Sequence, residues 1–338
     1  MHTNILSTVG RTPLVKLERF FKVNPFNLFA KLESFNPGGS MKDRAALSIL
    51  KNGMDLGYIR KDTTIIESSS GNMGIGLALA CAYLEQRFIC VVDPKTTGQN
   101  IKILKSYGAE IDLVSVPDPL TGEFLQARIN RVQALCAEIP NSFWPNQYSN
   151  IYNARAHHQT MHEIVTELDG QVDYLFCATS TCGTLRGCAD YIREYGLDTK
   201  IYAVDALGSM IFGSAPSRKR LIPGHGAAIR PHLYEDQLAT RCIHMNDLEC
   251  VVGCRRLVQK EAILAGGSSG AVLMAIDSVK DEIPPGSICA AILADRGERY
   301  LDTIYSDSWI LEHFGDVFHL WENSLEEEEE EICIATTY

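Results

Sequence analysis

Asn36-Pro37-Gly38-Gly39-Ser40-Met41-Lys42-Asp43-Arg44 is the stretch on which the reading of this chain turns. A Pro-Gly-Gly turn closes an extended segment, and Ser40 is placed to cap a helix that starts there. Lys42 then falls in the first helical turn. The positive end of a helix disfavours a cation, and the same field favours the neutral, nucleophilic amine. On this segment alone, a solvated lysine beside Asp43 reads equally well.

Working outward, the same arrangement of strand, glycine- and hydroxyl-rich turn, and helix recurs three times. Glu67-Ser68-Ser69-Ser70-Gly71-Asn72-Met73-Gly74-Ile75-Gly76 runs into the small-residue helix of Leu77 to Ala80. Backbone N–H groups, hydroxyls and an amide converge at that helix start, which suits a carboxylate or a phosphate. Ala178-Thr179-Ser180-Thr181-Cys182-Gly183-Thr184 offers a phosphate cradle but lacks the Lys-Ser/Thr ending of a nucleotide P-loop. Such a cradle holds a phosphate rather than transferring it. Ala265-Gly266-Gly267-Ser268-Ser269-Gly270-Ala271 opens another helix. Taken singly, each segment also reads as a capped helix with glycines for close packing.

Apolar, β-branched runs at 28–33, 64–67, 88–93, 111–116, 174–178, 201–205 and 288–294 predict strands buried on both faces. Amphipathic runs at 43–56, 73–85, 99–107, 124–138, 153–168, 184–195, 247–261 and 268–279 predict helices. The alternation predicts an α/β fold of two lobes, each an open, mainly parallel twisted sheet flanked by helices. In such sheets ligands bind at the ends of strands, where these four segments fall. Residues 141–146 break the alternation and suggest a change of domain, and 214–231 read as a surface loop. From about 314 the periodicity fades into an acidic run, Glu326 to Glu331, which predicts a solvated tail over 314–338.

Composition narrows the function. The chain has 338 residues, 46% hydrophobic and 22% charged, as soluble globular proteins have. Its net charge of -11 argues against nucleic acid as a partner, because phosphate backbones need clustered positive charge. No apolar stretch is long enough to cross a bilayer, so no membrane role is expected. Met1-His2-Thr3-Asn4 does not open a secretory signal, and the 11 cysteines, an odd number placed largely in apolar runs, fit a reducing cytoplasm. Cys250 and Cys254 share a predicted helix without a further pair to complete a zinc site, and the adjacent His157 and His158 would point to different faces. No metal is expected.

A nucleophilic lysine, a phosphate cup and a carboxylate loop together fit pyridoxal 5′-phosphate, a coenzyme that needs a lysine, a partner at its pyridine nitrogen and a phosphate anchor. At these residues the chain resembles the fold-type II pyridoxal-phosphate enzymes of the cysteine synthase and cystathionine β-synthase family. The resemblance runs from Thr8-Val9-Gly10-Arg11-Thr12-Pro13-Leu14 to Arg296-Gly297-Glu298-Arg299-Tyr300-Leu301. It implies that Lys42 carries the coenzyme as a Schiff base and that Asn72 bonds the ring hydroxyl. It further implies that Ser180, Thr181, Cys182, Gly183 and Thr184 hold the phosphate, and that Ser268 faces the pyridine nitrogen. Ser69, Ser70, Gly71, Asn72 and Met73 match the loop that grips the substrate carboxylate.

The departures from cysteine synthases are informative. Their Ser-Ser-Gly-Glu-Arg-Tyr is here Asp295-Arg296-Gly297-Glu298-Arg299-Tyr300, and their Gly-Ile-Ser-Ser-Gly is here Gly266-Gly267-Ser268-Ser269-Gly270. With Val91-Val92-Asp93-Pro94-Lys95 and Asn146-Gln147-Tyr148, these variants look most like the N-(2-amino-2-carboxyethyl)-L-glutamate synthase subgroup, which makes a precursor of 2,3-diaminopropionate for siderophores and peptide antibiotics. That resemblance implies O-phospho-L-serine and L-glutamate as substrates, and a cytoplasmic homodimer. A phosphate ester carries about -1.5 to -2 charge near neutral pH and calls for extra donors. Arg128, Gln147, Tyr148 and Ser180 are the candidates, Arg128 reading equally as a surface arginine. The lobes expected are 42–150, smaller and mobile, and 1–41 with 151–313, larger and coenzyme-binding. Two alternatives stand beside this reading: a cysteine synthase using O-acetylserine or O-phosphoserine with sulfide, and a catalytically silent partner-binding homologue.

Overall fold

Strands too apolar to face water on either side need helices over both faces, and that requirement organises the chain. The computed structural model describes residues 2–22, 25–120, 122–213 and 220–322. Its strands are β1 (Leu14–Lys16), β2 (Asn27–Leu32), β3 (Thr64–Ser68), β4 (Phe88–Val92), β5 (Glu110–Leu113), β6 (Ser142–Phe143), β7 (Tyr174–Ala178), β8 (Lys200–Ala206), β9 (Arg241–Met245) and β10 (Ile288–Leu293). Its α-helices are α1 (Lys42–Asp55), α2 (Asn72–Tyr83), α3 (Gly98–Ser106), α4 (Phe124–Glu138), α5 (Ile151–Glu167), α6 (Gly183–Tyr195), α7 (Asp247–Glu261), α8 (Gly267–Val279) and α9 (Asp307–Phe314).

The strands form two sheets. The larger has the order β1-β2-β10-β7-β8-β9 and is parallel except where β1 runs antiparallel to β2. The smaller has the order β5-β4-β3-β6 and is wholly parallel. The fold is therefore α/β with two mostly parallel sheets flanked by helices, as the alternation predicts. β3 and β4 are buried along their whole length, between the α1–α2 core on one face and Val132 and Leu135 of α4 on the other.

Two close approaches seat the helices that carry the site. A Cβ at Gly76 of α2 would lie 3.1 Å from the Lys42 carbonyl, so the glycine lets α2 meet the start of α1. A Cβ at Gly270 of α8 would lie 2.1 Å from the Cys250 carbonyl of α7, which only a glycine avoids.

Some expectations need correction. Residues 141–146 are not irregular throughout: Ser142 and Phe143 pair with Thr64 and Ile65 as the edge strand β6, the last strand of the smaller sheet before α5 and the remaining strands of the larger one. The tail does not begin at 314. Phe314, Val317 and Phe318 pack on the core under the larger sheet, and Trp321 is buried in it. Burying a large apolar side chain contributes roughly 1.5–3 kcal/mol, enough to hold this segment down. The acidic run Glu326 to Glu331 lies outside the described residues, as do 214–219 of the predicted surface loop. The rest of that loop is only partly at the surface: Pro223, Gly224, Ile229 and Arg230 are exposed, whereas Ile222, His225 and Ala227 are buried. Among the described residues no helix is long and apolar enough to cross a membrane, and no cluster of potential metal ligands occurs.

Candidate active site

One cavity of about 680 Å³ opens at the carboxyl ends of β3, β7 and β10. Every candidate site residue named from the sequence lines it: Lys42, Ser69, Ser70, Gly71, Asn72, Met73, Arg128, Gln147, Tyr148, Ser180, Thr181, Cys182, Gly183, Thr184 and Ser268. These residues are spread over more than two hundred positions of sequence, and only the crossing of the two sheets brings them together.

Lys42 is the first residue of α1. The preceding Met41 makes no side-chain cap, and Ser40 Oγ instead accepts the Lys42 N–H at 3.2 Å. The cap expected at Ser40 is thus displaced by one residue. Burial pushes the Lys42 amine below its ordinary pKa, opposed by the negative charges of Asp295 and Glu33. Desolvation, more than the helix field, is what favours the neutral amine.

The serine loop is largely bonded to itself. Ser69 Oγ accepts from the N–H of Gly74 at 2.9 Å, which leaves its own hydrogen to donate to a ligand. The Ser70 carbonyl accepts from Asn100 Nδ2 at 2.9 Å. Behind the loop lies Glu67, a residue with no role in the sequence reading. Its carboxylate accepts from Trp144 Nε1 at 3.1 Å and from the Gln147 N–H at 3.2 Å. Gln147 Nε2 donates to the Ser68 carbonyl at 3.2 Å, so this side chain ties the loop down as it lines the cavity. Burial pushes Glu67 up to about 7 and raises the Tyr148 phenol.

The phosphate cradle turns on Cys182, whose φ of +62° is left-handed and costly for a residue with a Cβ. Its thiol is pushed up to about 12 by burial, so Cys182 serves this turn through its backbone. Asn153 of α5 braces the loop, donating from Nδ2 to Thr181 Oγ1 at 3.0 Å and to the Gln147 carbonyl at 2.8 Å. A Cβ at Gly183 would fall 2.3 Å from Asn153 Oδ1, which requires the glycine. The loop opens α6, and Gly183 and Thr184 of its first turn line the cavity, a helix start suited to a phosphate.

Arg128 is buried on α4. Its Nε lies 3.2 Å from Asp93 Oδ2, yet Nε and Nη1 have no hydrogen-bond partner among the described residues. A buried guanidinium with unmet donors is costly, and an anion in the cavity would satisfy it. His225 also lines the cavity with both ring nitrogens unpartnered. Burial drives it down to about 3, which keeps it neutral.

Asp295, Arg299 and Tyr300 line the cavity as well. The sequence reading quoted them as a motif and gave them no role. Asp295 Oδ2 accepts from Asn72 Nδ2 at 2.7 Å and from the Tyr300 hydroxyl at 2.6 Å. Arg299 donates to Asn72 Oδ1 and to the Gly38 carbonyl. The only sequence signal for Asp295 was a carboxylate where the resembled family has a serine.

An amine of lowered pKa, a helix-borne phosphate cradle and a hydroxyl-lined carboxylate loop around one cavity fit pyridoxal 5′-phosphate: Lys42 would hold the aldehyde, residues 180–184 the phosphate and Ser268 the ring nitrogen. A family model for pyridoxal-phosphate dependent enzymes matches residues 5–295. The chain belongs to that family. A hydrogen sulfide-producing enzyme from Fusobacterium nucleatum superposes with a TM-score of 0.83 at 31% identity, over 89% of this chain and 100% of that one. An O-ureido-L-serine synthase gives 0.85 at 28% identity, over 94% and 97%. An O-acetylserine-dependent cystathionine β-synthase from Helicobacter pylori gives 0.84 at 30% identity, over 90% and 99%. The protein is a pyridoxal-phosphate dependent β-replacement enzyme of the cysteine synthase type.

Proposed function

We propose that the enzyme joins O-phospho-L-serine and L-glutamate to give N-(2-amino-2-carboxyethyl)-L-glutamate and phosphate, as a cytoplasmic homodimer supplying 2,3-diaminopropionate for a siderophore or peptide natural product. The observation that carries the donor is Arg128, a buried guanidinium in the cavity wall with two unmet nitrogens. A dianionic leaving group answers that need and a neutral acetyl ester does not. The acceptor rests on the resemblance of the Asn146-Gln147-Tyr148 and Asp295 to Tyr300 segments. Arg220 and Lys95, both on the cavity lining, are consistent with an acceptor that bears carboxylates.

When bound, the coenzyme supplies a sink for the electron pair left at Cα as its proton departs. Lys42 Nζ takes that proton. Ser69, Ser70 and Asn72 hold the substrate carboxylate, while Arg128, Tyr148 and Ser180 draw on the phosphate as the Cβ–O bond breaks. The glutamate amine forms the Cβ–N bond and loses one proton, and Lys42 returns the first proton to Cα. The segment 42–150 acts as a smaller lobe that closes on the carboxylate against 1–41 and 151–313. Closure excludes water that would divert the substrate to hydrolysis. Crystals with and without phosphoserine should differ by a lobe rotation.

The test of the reaction is product identification by mass spectrometry, offering phosphoserine or acetylserine against glutamate or sulfide. Phosphoserine and glutamate should give the new amine. Cysteine as the sole product, from sulfide, would replace this reading with a cysteine synthase.

A further inference from the structure

The amide of Asn72 is held from both ends by residues of the other sheet. Asn72 opens α2, beside the smaller sheet, whereas Asp295 and Arg299 follow β10 of the larger one. An arginine can only donate, so its partner atom on Asn72 must be the oxygen. A carboxylate can only accept, so its partner must be the nitrogen. The flip of the amide, ordinarily ambiguous, is therefore dictated by its neighbours. Reversing it would set two donors against each other at Arg299 and two acceptors at Asp295.

The amide nitrogen has two hydrogens in fixed directions. One goes to Asp295 Oδ2 at 2.7 Å, and the other has no protein acceptor among the described residues. Asn72 lines the cavity, so that second hydrogen is available to the coenzyme. A serine at 295, as in the resembled family, could not impose this orientation, because a hydroxyl both donates and accepts.

Asp295 is itself built to stay in place. It is 2% exposed, its Oδ2 also takes the Tyr300 hydroxyl at 2.6 Å, and a Cβ at Gly266 would lie 2.1 Å from its Oδ1. Burial raises its pKa, opposed by Tyr300 and Asn72 and by the charges of Arg299 and Lys42.

We propose that Asp295 is a positioning residue: with Arg299 it locks the Asn72 amide so that one N–H is presented to the ring oxygen of the bound coenzyme. This rests on the reading of Asn72 as the ring-oxygen ligand. It does not depend on which amino acids react.

The test is a double-mutant cycle on coenzyme affinity, measured by titrating apoprotein with pyridoxal 5′-phosphate and no amino acid. Asp295→Ala should weaken binding about tenfold, the worth of one hydrogen bond. In an Asn72→Ala background the same change should cost less than about twofold, because the group it orients is gone. The ratio of visible to near-ultraviolet absorption of the bound coenzyme should show the same coupling, which a purely structural residue would not produce. Asp295→Ser, whose hydroxyl both donates and accepts, should lose the orientation as the alanine variant does, so the cycle can be completed with it if the alanine variant fails to fold. Equal losses in both backgrounds would overturn the proposal, as would unchanged affinity in Asp295→Ala. An Asn72→Ala protein that binds the coenzyme normally would instead remove the reading of Asn72.

Discussion

Lys42 and Arg44 stand two residues apart at the start of one helix and meet opposite surroundings. Arg44 enters a buried ion cluster in which its donors are matched. Its guanidinium bonds Glu33 at 2.7 and 2.8 Å, Glu163 at 2.7 Å twice, and Thr12 Oγ1 at 3.2 Å. Lys31 completes the cluster, reaching Glu167 at 2.7 Å and Glu163 at 3.1 Å. Lys42 faces a cavity whose polar walls are unfinished: Arg128, Asp295 and His225 keep buried atoms without partners. Buried polar groups are normally satisfied, so unmet ones in a cavity wall are groups that a ligand would satisfy. One helix thus carries a finished cluster that holds the fold and an unfinished one that does chemistry.

The largest expected effect breaks the chemical side alone. Lys42→Ala should lose the visible absorption of the bound coenzyme and all turnover, because the other lysine on the cavity lining among the described residues, Lys95, is exposed to solvent. Its unfolding midpoint should stay near that of the unmodified apoprotein. A yellow, active Lys42→Ala protein would end the assignment.

Breaking the other side should do the reverse. Arg44→Met leaves Glu33 buried without its cation and Glu163 with Lys31 alone, and losing one partner of a buried ion pair costs about 3–5 kcal/mol. Urea denaturation should register that loss, while any folded fraction still binds the coenzyme. A midpoint unchanged in Arg44→Met would mean that the cluster relaxes by admitting water.

How much of this contrast could be read from sequence depends on distance along the chain. The strands of β3, β4, β7 and β10 were legible because burial on both faces leaves a continuous apolar run. The turns at 68–74, 180–184 and 266–270 were legible because helix starts and phosphate cradles demand particular residue types close together. β1 and β6 are too short to show a pattern. β9 is an edge strand whose Arg241 and His244 face solvent, which erased the apolar run. α9 was hidden by its eight-residue length, and Trp321 by the polar residues around it. The Arg44 cluster and the hold of Asp295 on Asn72 join residues 119 and 223 positions apart, and no local pattern encodes such pairs.

A third measurement sharpens the chemical side. Arg128→Ala removes charge-assisted donors that a phosphate would use, at a cost of about 1.5–3 kcal/mol, or roughly ten- to a hundredfold in phosphoserine use. Acetylserine has no charge to satisfy and should suffer much less. Equal losses with both donors would assign Arg128 to its pairing with Asp93 rather than to the substrate.

The smallest effect separates the two sides by pH. Against burial, which raises it, hydrogen bonds and charge from Arg44 bring Glu163 from 4.5 to about 2. Burial instead lifts Asp43, beside Lys42, from 3.8 to about 7, and Glu67, behind the serine loop, from 4.5 to about 7. Folded Glu163 binds fewer protons than the unfolded chain below pH 4.5, so its contribution is intact above that value and lost as pH falls towards 2. Folded Asp43 and Glu67 bind more protons than the unfolded chain, so stability falls as pH rises from about 4 to about 7 and levels off beyond. Melting temperatures of the apoprotein should therefore pass through a maximum near about pH 4. Glu67→Gln stays neutral throughout and should flatten the decline on the alkaline side while leaving the acid side untouched. The same decline in Glu67→Gln as in the unmodified protein would show that this carboxyl titrates as if it were in water, and that the serine loop is open to solvent.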